Sequence, residues 1–391
     1  MSVLIGSATS YTDLLNQLDS FLTGTGMALT PSFVGVGTGT IAALGGSASV
    51  VETITVTFSS STAFAVAGSV SGALGSGTVG TPFTSTKANL TVTAGLTAFS
   101  SGDIFTFAVT PPWTSLRRTT GSEMIWQAPG NGGLDQIIVG AKIFSNVGAD
   151  YYNWRLGGFT GFNSALAFNM QPGYVGGPGQ LTASPVLPLW NSTIPFWFIA
   201  NGRRVIVIAK VSTVYTSCYL GFMASYLSPG AFPYPLVVGG SLAFSGAEPA
   251  PTSANWRWSY TGVEMRAFAM DKIVGTSTDA ESAIRLRMVS GIWRGFSSSN
   301  SNVGAGEIWP YGWITPGNWD WRPDLDGGYS LLPIVLCDAT PNVYGELEGV
   351  KAVTGFSQSV ENTVTVANIP HLVVQNVFRN TVSDFFAVRL S

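Results

Sequence analysis

Charge is scarce in this sequence, and that scarcity limits what the chain can fold into more than any other feature. Only 18 Lys and Arg and 21 Asp and Glu occur in 391 residues, and mean hydropathy is positive at +0.31. An ordinary soluble domain carries about 25% charged residues, against 10% here. A membrane protein would explain the shortage, but a spanning helix needs about 20 consecutive apolar residues and no such run occurs. The best candidate, residues 205–227, contains Lys210 and opens on a β-branched Val-Ile-Val-Ile run, which predicts a buried strand continuing into another strand. What remains is a soluble subunit that covers much of its surface with neighbours, because obligate interfaces resemble a domain core cut in half.

The charge balance also narrows the partners. A formal net charge of −3 offers no basic stripe for phosphates, so nucleic acid is not expected as a partner. Cys218 and Cys337 lie in apolar contexts without metal-ligand spacing, which predicts buried thiols in a reducing compartment. The first residues show neither a basic nor a sustained apolar leader segment, as expected of synthesis in a bacterial cytoplasm.

Local patterns predict a mainly β chain with one N-terminal helix. Tyr11, Leu14, Leu15, Leu18, Phe21 and Leu22 recur at helical spacing, Ser10 and Asp13 resemble a capping box, and Gly24 and Gly26 supply a stop. Residues 1–30 are therefore a helical segment that packs on the main body or on a neighbour. From 31 to 112 the composition turns to Gly, Thr, Ser and Ala. Candidate strands lie at 51–58, 62–70, 88–93 and 104–109, with turns at 75–77 and 101–103. Phe58, Phe64, Phe83, Phe99, Phe105 and Phe107 give this stretch something to bury, so it is expected to be a small β-sandwich rather than a linker.

Residues 113–391 are richer in aromatics and are expected to form a larger, β-rich and loop-rich domain. Strands are predicted at 136–144, 195–199, 205–214, 283–289, 332–337 and 371–378. Asn201-Gly202 predicts a hairpin turn with positive φ at both residues. The segments 173–185, 228–235, 241–253 and 308–328 read as long loops, which usually need a partner surface.

Several phrases resemble a family of tailed-phage virion proteins found among tail and baseplate genes. They are Tyr11-Thr-Asp-Leu-Leu, Asn146-Val-Gly-Ala-Asp-Tyr-Tyr-Asn-Trp154, Leu187-Pro-Leu-Trp-Asn-Ser-Thr-Ile-Pro-Phe-Trp197, Asn201-Gly-Arg-Arg-Val205, Tyr344-Gly-Glu-Leu-Glu-Gly-Val350 and Gln375-Asn-Val-Phe-Arg379 with Phe386-Ala-Val-Arg-Leu390. The resemblance implies a structural role in the virion and no reaction. It also implies that residues 31–112 are inserted into, or precede, a body formed by the helix and the region after Trp113. The implied partners are further copies of the chain and other phage virion proteins.

Chemistry has few candidates. An acid–base or nucleophilic mechanism usually shows itself through histidine, and His371, the single one, follows Pro370 at the start of an apolar strand. No nucleotide loop, zinc signature or nucleophile elbow is present, so no catalytic residue, cofactor or metal is expected. The sharpest exception is 307–326, where Trp309, Tyr311, Trp313, Trp319 and Trp321 interleave with Glu307, Asp320, Asp324 and Asp326. These rings could fill an interface, where aromatics are enriched, or stack against a host-surface glycan; a carboxylate pair beside such a platform could hydrolyse a glycosidic bond.

Overall fold

The computed structural model describes residues 2–24, 26–28, 31–130, 135–176, 184–242, 257–259, 265–270, 283–297, 306–310, 323–324, 326–338, 342–378 and 382–390. Among these residues the chain is mainly β, with 52% strand and 6% helix, arranged in several sheets with no closed barrel.

The chain enters the largest sheet at once. Strand β1 (Ser2–Ala8) pairs antiparallel with Ile194–Ala200, and the sheet continues through Arg204–Val211, Val214–Phe222, Leu236–Gly239, Ile284–Arg287 and Trp293–Ser297. It runs on through Gly306–Trp309, Leu332–Cys337, Val343–Ala352, Phe385–Arg389 and Ile369–Gln375 to Thr363–Val366. Strands from both ends share one apolar core. Ile199, Ile206 and Ile208 from the first part meet Leu372, Val374, Phe386 and Val388 from the last, so the sheet bends back on itself without closing.

The opposite face of the first strands carries a second layer. Helix α1 (Tyr11–Gly24) and a five-stranded antiparallel meander cover it; the meander comprises Thr114–Thr119, Glu123–Ala128, Ile137–Asn146, Tyr151–Phe159 and Val186–Leu189. Leu14, Leu15, Leu18 and Leu22 of α1 pack with Trp126, Trp154, Phe198, Val205 and Val207. The strands Ile194–Ala200 and Arg204–Val211 are thus covered on both faces, the situation in which strands read as continuous apolar runs rather than as alternation. That accounts, within one chain, for the Val-Ile-Val-Ile run and for part of the missing charge.

α1 starts as its sequence predicts, with a shifted reciprocal bond. The Asp13 N–H donates to Ser10 Oγ at 3.2 Å, but the Asp13 carboxylate accepts from the Thr9 N–H at 2.8 Å instead of from Ser10. That backbone bond, followed by donors from Gln17 and the Thr9 hydroxyl, outweighs burial and holds the carboxyl below its usual range.

The stretch 27–110 forms two facing sheets. One contains Met27–Ala28, Ile104–Thr110, Glu52–Phe58, Ala63–Gly68 and Gly72–Thr78, with Ser32–Val34 also on Ile104–Thr110; the other contains Thr40–Gly45, Ala88–Thr93 and Phe83–Thr84. Between them lie Val56, Phe58, Phe64, Leu90, Val92 and Phe107, with Phe58 and Phe99 stacked at a centroid distance of 4.0 Å. Ala28 belongs to this core whereas Met27 belongs to the core around α1.

Two buried carboxylates tie down the sandwich loops. Asp103 accepts from the N–H groups of Val36 (3.1 Å), Gly37 (3.0 Å) and Ser100 (3.1 Å). Glu52 accepts from Val70 N–H (3.1 Å), Ser71 N–H (3.0 Å) and Ser71 Oγ (2.8 Å).

Some sequence expectations shift. Residues 75–77 lie inside the strand Gly72–Thr78 rather than in a turn, because the sheet edge accepts a strand of small residues. The strand expected at 205–214 ends at Val211, where Ser212 takes φ 57° and the chain reverses into Val214–Phe222. The hairpin before it forms, with Ala200 opposite Val205, but it is centred on Gly202 and Arg203. Neither Asn201 nor Gly202 takes positive φ. Asn201 instead accepts through Oδ1 from the N–H groups of Arg203 and Arg204, and Gly202 is needed because a Cβ there would lie 2.8 Å from the carbonyl oxygen of Gly130. Residues 308 and 309, read as loop, belong to the strand Gly306–Trp309. Residues 177–183, 243–253, 311–322 and 325 of the expected loops lie outside the described residues.

Candidate interaction surface

Of the five aromatic residues singled out in the sequence, Trp309 is described and Tyr311, Trp313, Trp319 and Trp321 lie outside the described residues. Trp309 is half-buried at the end of Gly306–Trp309, opposite Val335. Of the interleaved carboxylates, Glu307 is buried on the same strand, whereas Asp324 and Asp326 are exposed at a turn in which the Gly328 N–H donates to Asp326 Oδ1 at 3.1 Å; Asp320 is outside the described residues. Beside Glu307, Asp338 gathers Arg294 (3.2 Å), the Tyr344 hydroxyl (2.9 Å) and Asn342 (3.1 Å). This hub joins three strand ends. Among the described residues, no group of three or more His, Cys, Asp or Glu could hold a metal ion.

Four other tryptophans are internal with the indole N–H satisfied, as buried indoles require. Trp113 donates to the carbonyl of Asn201 (2.9 Å), Trp126 to Asp19 (2.8 Å), Trp154 to the carbonyl of Tyr11 (3.0 Å) and Trp293 to the carbonyl of Gly173 (3.0 Å). They cement α1 and the meander to the large sheet.

The reactive side chains are muted by their surroundings. Burial lowers the pKa of His371, and its Nδ1 lies 2.9 Å from the carbonyl of Ile369. Burial pushes the Cys218 thiol up to about 12 and, with help from Glu307 and Asp338, the Cys337 thiol up to about 11. Glu361 accepts from Lys210 at 2.7 Å and from the Tyr215 hydroxyl, tying the hairpin of the first half of the sheet to the turn before Thr363–Val366. Hydrogen bonding to Glu361, then to Tyr215, holds the Lys210 ammonium firmly protonated.

What faces solvent is partly apolar. β1 is a terminal strand of the large sheet, and Leu4 and Ile5 on it are 38% and 61% exposed. Leu4 borders a hollow of about 500 Å³ along α1, lined also by Asp13, Asn16, Gln17, Ser20 and Phe21. A second group, Val34, Val36 and Leu96, stands exposed at the end of the sandwich where Ile104 begins its strand, away from Thr110, where the chain returns to the body. Little in the sequence signals β1, whose Val-Leu-Ile triplet lacks alternation. Among the described residues, no helix is long and apolar enough to cross a membrane.

Comparison of the chain with protein-family models and with curated proteins finds no match.

Proposed function

We propose that this chain is a non-enzymatic structural subunit of a symmetric assembly, a virion protein of a tailed bacteriophage placed in the tail or baseplate. It folds in the host cytoplasm and binds copies of itself and neighbouring virion proteins. One observation carries the reading: an open sheet ends on an uncharged strand that displays Leu4 and Ile5 to solvent. Free-standing proteins blunt such edges with charges, prolines or bulges, because a bare edge recruits another chain. The phrases shared with phage virion proteins support the choice of assembly. The muted His371 and thiols fit a scaffold better than a catalyst.

Two measurements test this. Light scattering of the purified chain at micromolar concentration is expected to give a closed oligomer, and mass spectrometry of purified phage particles is expected to find the chain among their proteins. A soluble monomer that hydrolyses a bacterial polysaccharide, or particles that lack the chain, would overturn it.

A further inference from the structure

The hairpin beside β1 fixes the direction in which the backbone of β1 points. Asn201 N–H donates to the carbonyl of Arg204 at 3.0 Å, so these two residues form a hydrogen-bonded pair. Antiparallel ladders alternate, which makes Ile199 with Ile206 and Trp197 with Ile208 hydrogen-bonded pairs too. Phe196, Phe198 and Ala200 then turn their N–H and C=O groups the other way, towards Gly6, Leu4 and Ser2 of β1. The odd residues Val3, Ile5 and Ser7 are left with theirs directed out of the sheet. The carbonyl of Ser7 is taken by Gln17 Nε2 at 3.3 Å, as this parity requires. Val3 and Ile5 have no backbone partner on that side among the described residues.

From this we infer that two copies of the chain join β1 to β1, antiparallel, about a two-fold axis at Leu4. Val3 then exchanges backbone hydrogen bonds with Ile5 of the second copy, and Leu4 lies opposite Leu4. The inference rests on the assembly reading and names its first partner. The strand Ser-Val-Leu-Ile-Gly-Ser-Ala contains no charge to repel its own copy and no proline to interrupt the new ladder. Leu4 and Ile5 point to opposite faces, so the pairing covers exposed aliphatic surface on both. Opposed residues of a non-hydrogen-bonded pair bring their Cβ atoms within about 5 Å, which places each Leu4 over the hollow beside the other's α1. The sheet's other terminal strand, Thr363–Val366, exposes Thr363 and Thr365 and would set hydroxyls against Ile5. A symmetric contact of β1 with itself matches aliphatic to aliphatic.

Ile5→Pro removes only an outward N–H and leaves the ladder to Ile194–Ala200 intact, as proline tolerates an edge. Light scattering is expected to show the wild-type mass halved by this variant, with unchanged circular dichroism, and Ile5→Lys is expected to do the same. Leu4→Cys in a Cys337→Ser background is expected to give a disulfide-linked dimer on mild oxidation. A wild-type monomer would overturn both this inference and the subunit reading. An oligomer whose mass neither Ile5 variant changes, or one that Leu4→Cys fails to cross-link, would overturn the β1 contact alone.

Discussion

The indole of Trp126 donates to Oδ1 of buried Asp19 at 2.8 Å, while Oδ2 of the same carboxylate meets Arg118 Nε at 2.6 Å. One acidic side chain on α1 thereby holds two strands of the meander. Asp19→Ala strands a buried indole N–H and is expected to cost about 2–3 kcal/mol, whereas Asp19→Asn keeps an acceptor and costs roughly 1 kcal/mol. Urea unfolding midpoints of the two variants check the order.

The sandwich is expected to weaken in acid. For Glu52 and Asp103 burial pushes the pKa up, but the hydrogen bonds from Ser71 and Val70, and from Ser100, Val36 and Gly37, prevail and leave both below their ordinary 4.5 and 3.8. A folded pKa below the unfolded one stabilises above the unfolded value, and the gain is lost as pH falls through the folded pKa. Residues 26–112, expressed alone, are expected to unfold cooperatively, with a urea midpoint that drops between about pH 6 and about pH 3. Asp103→Asn should lower the midpoint at the higher pH and flatten its pH dependence; a pH dependence equal to wild type would show that Asp103 is not responsible.

Gly140 faces Gly157 across the meander, with the ring of Phe168 over both. A Cβ at Gly140 would sit 2.6 Å from the backbone oxygen of Met124, an atom of the neighbouring strand that cannot swing away. Gly140→Ala is therefore expected to lose about 1–3 kcal/mol, readable as a lower thermal midpoint.

Cys218, fully buried with its thiol pushed up to about 12, is expected to resist a thiol reagent at neutral pH until the protein unfolds. Cys337, half-buried, should label slowly in the native state. Mass spectrometry of peptides after timed labelling separates the two.

Helix α1 was legible because six apolar residues share one stripe, and 332–337 because Leu332, Ile334, Val335 and Leu336 form a short apolar run. The sandwich was legible from its phenylalanines. β1 was not, since its pairing is set by Ile194–Ala200 rather than by its own pattern. The hairpin after Ala200 was legible but its centre was not, because the Asn201 side chain bonds the turn locally instead of letting the backbone adopt positive φ. Nor could sequence separate the tryptophans that fill the core, such as Trp126 and Trp154, from Trp309. The difference lies in acceptors supplied by Asp19 and Tyr11, distant along the chain.

The pairing of Val3 with Ile199 also sets a timetable for synthesis. A ribosome adding about 5–20 residues per second makes the partner of β1 roughly 10–40 s after β1 itself. The sandwich, whose core spans 28–109, can be complete well before then. Throughout that interval the nascent chain carries both edges of β1 bare, so β1 is a natural place for a chaperone to hold. Polysomes, with several such chains side by side, are where mispairing of β1 would first arise.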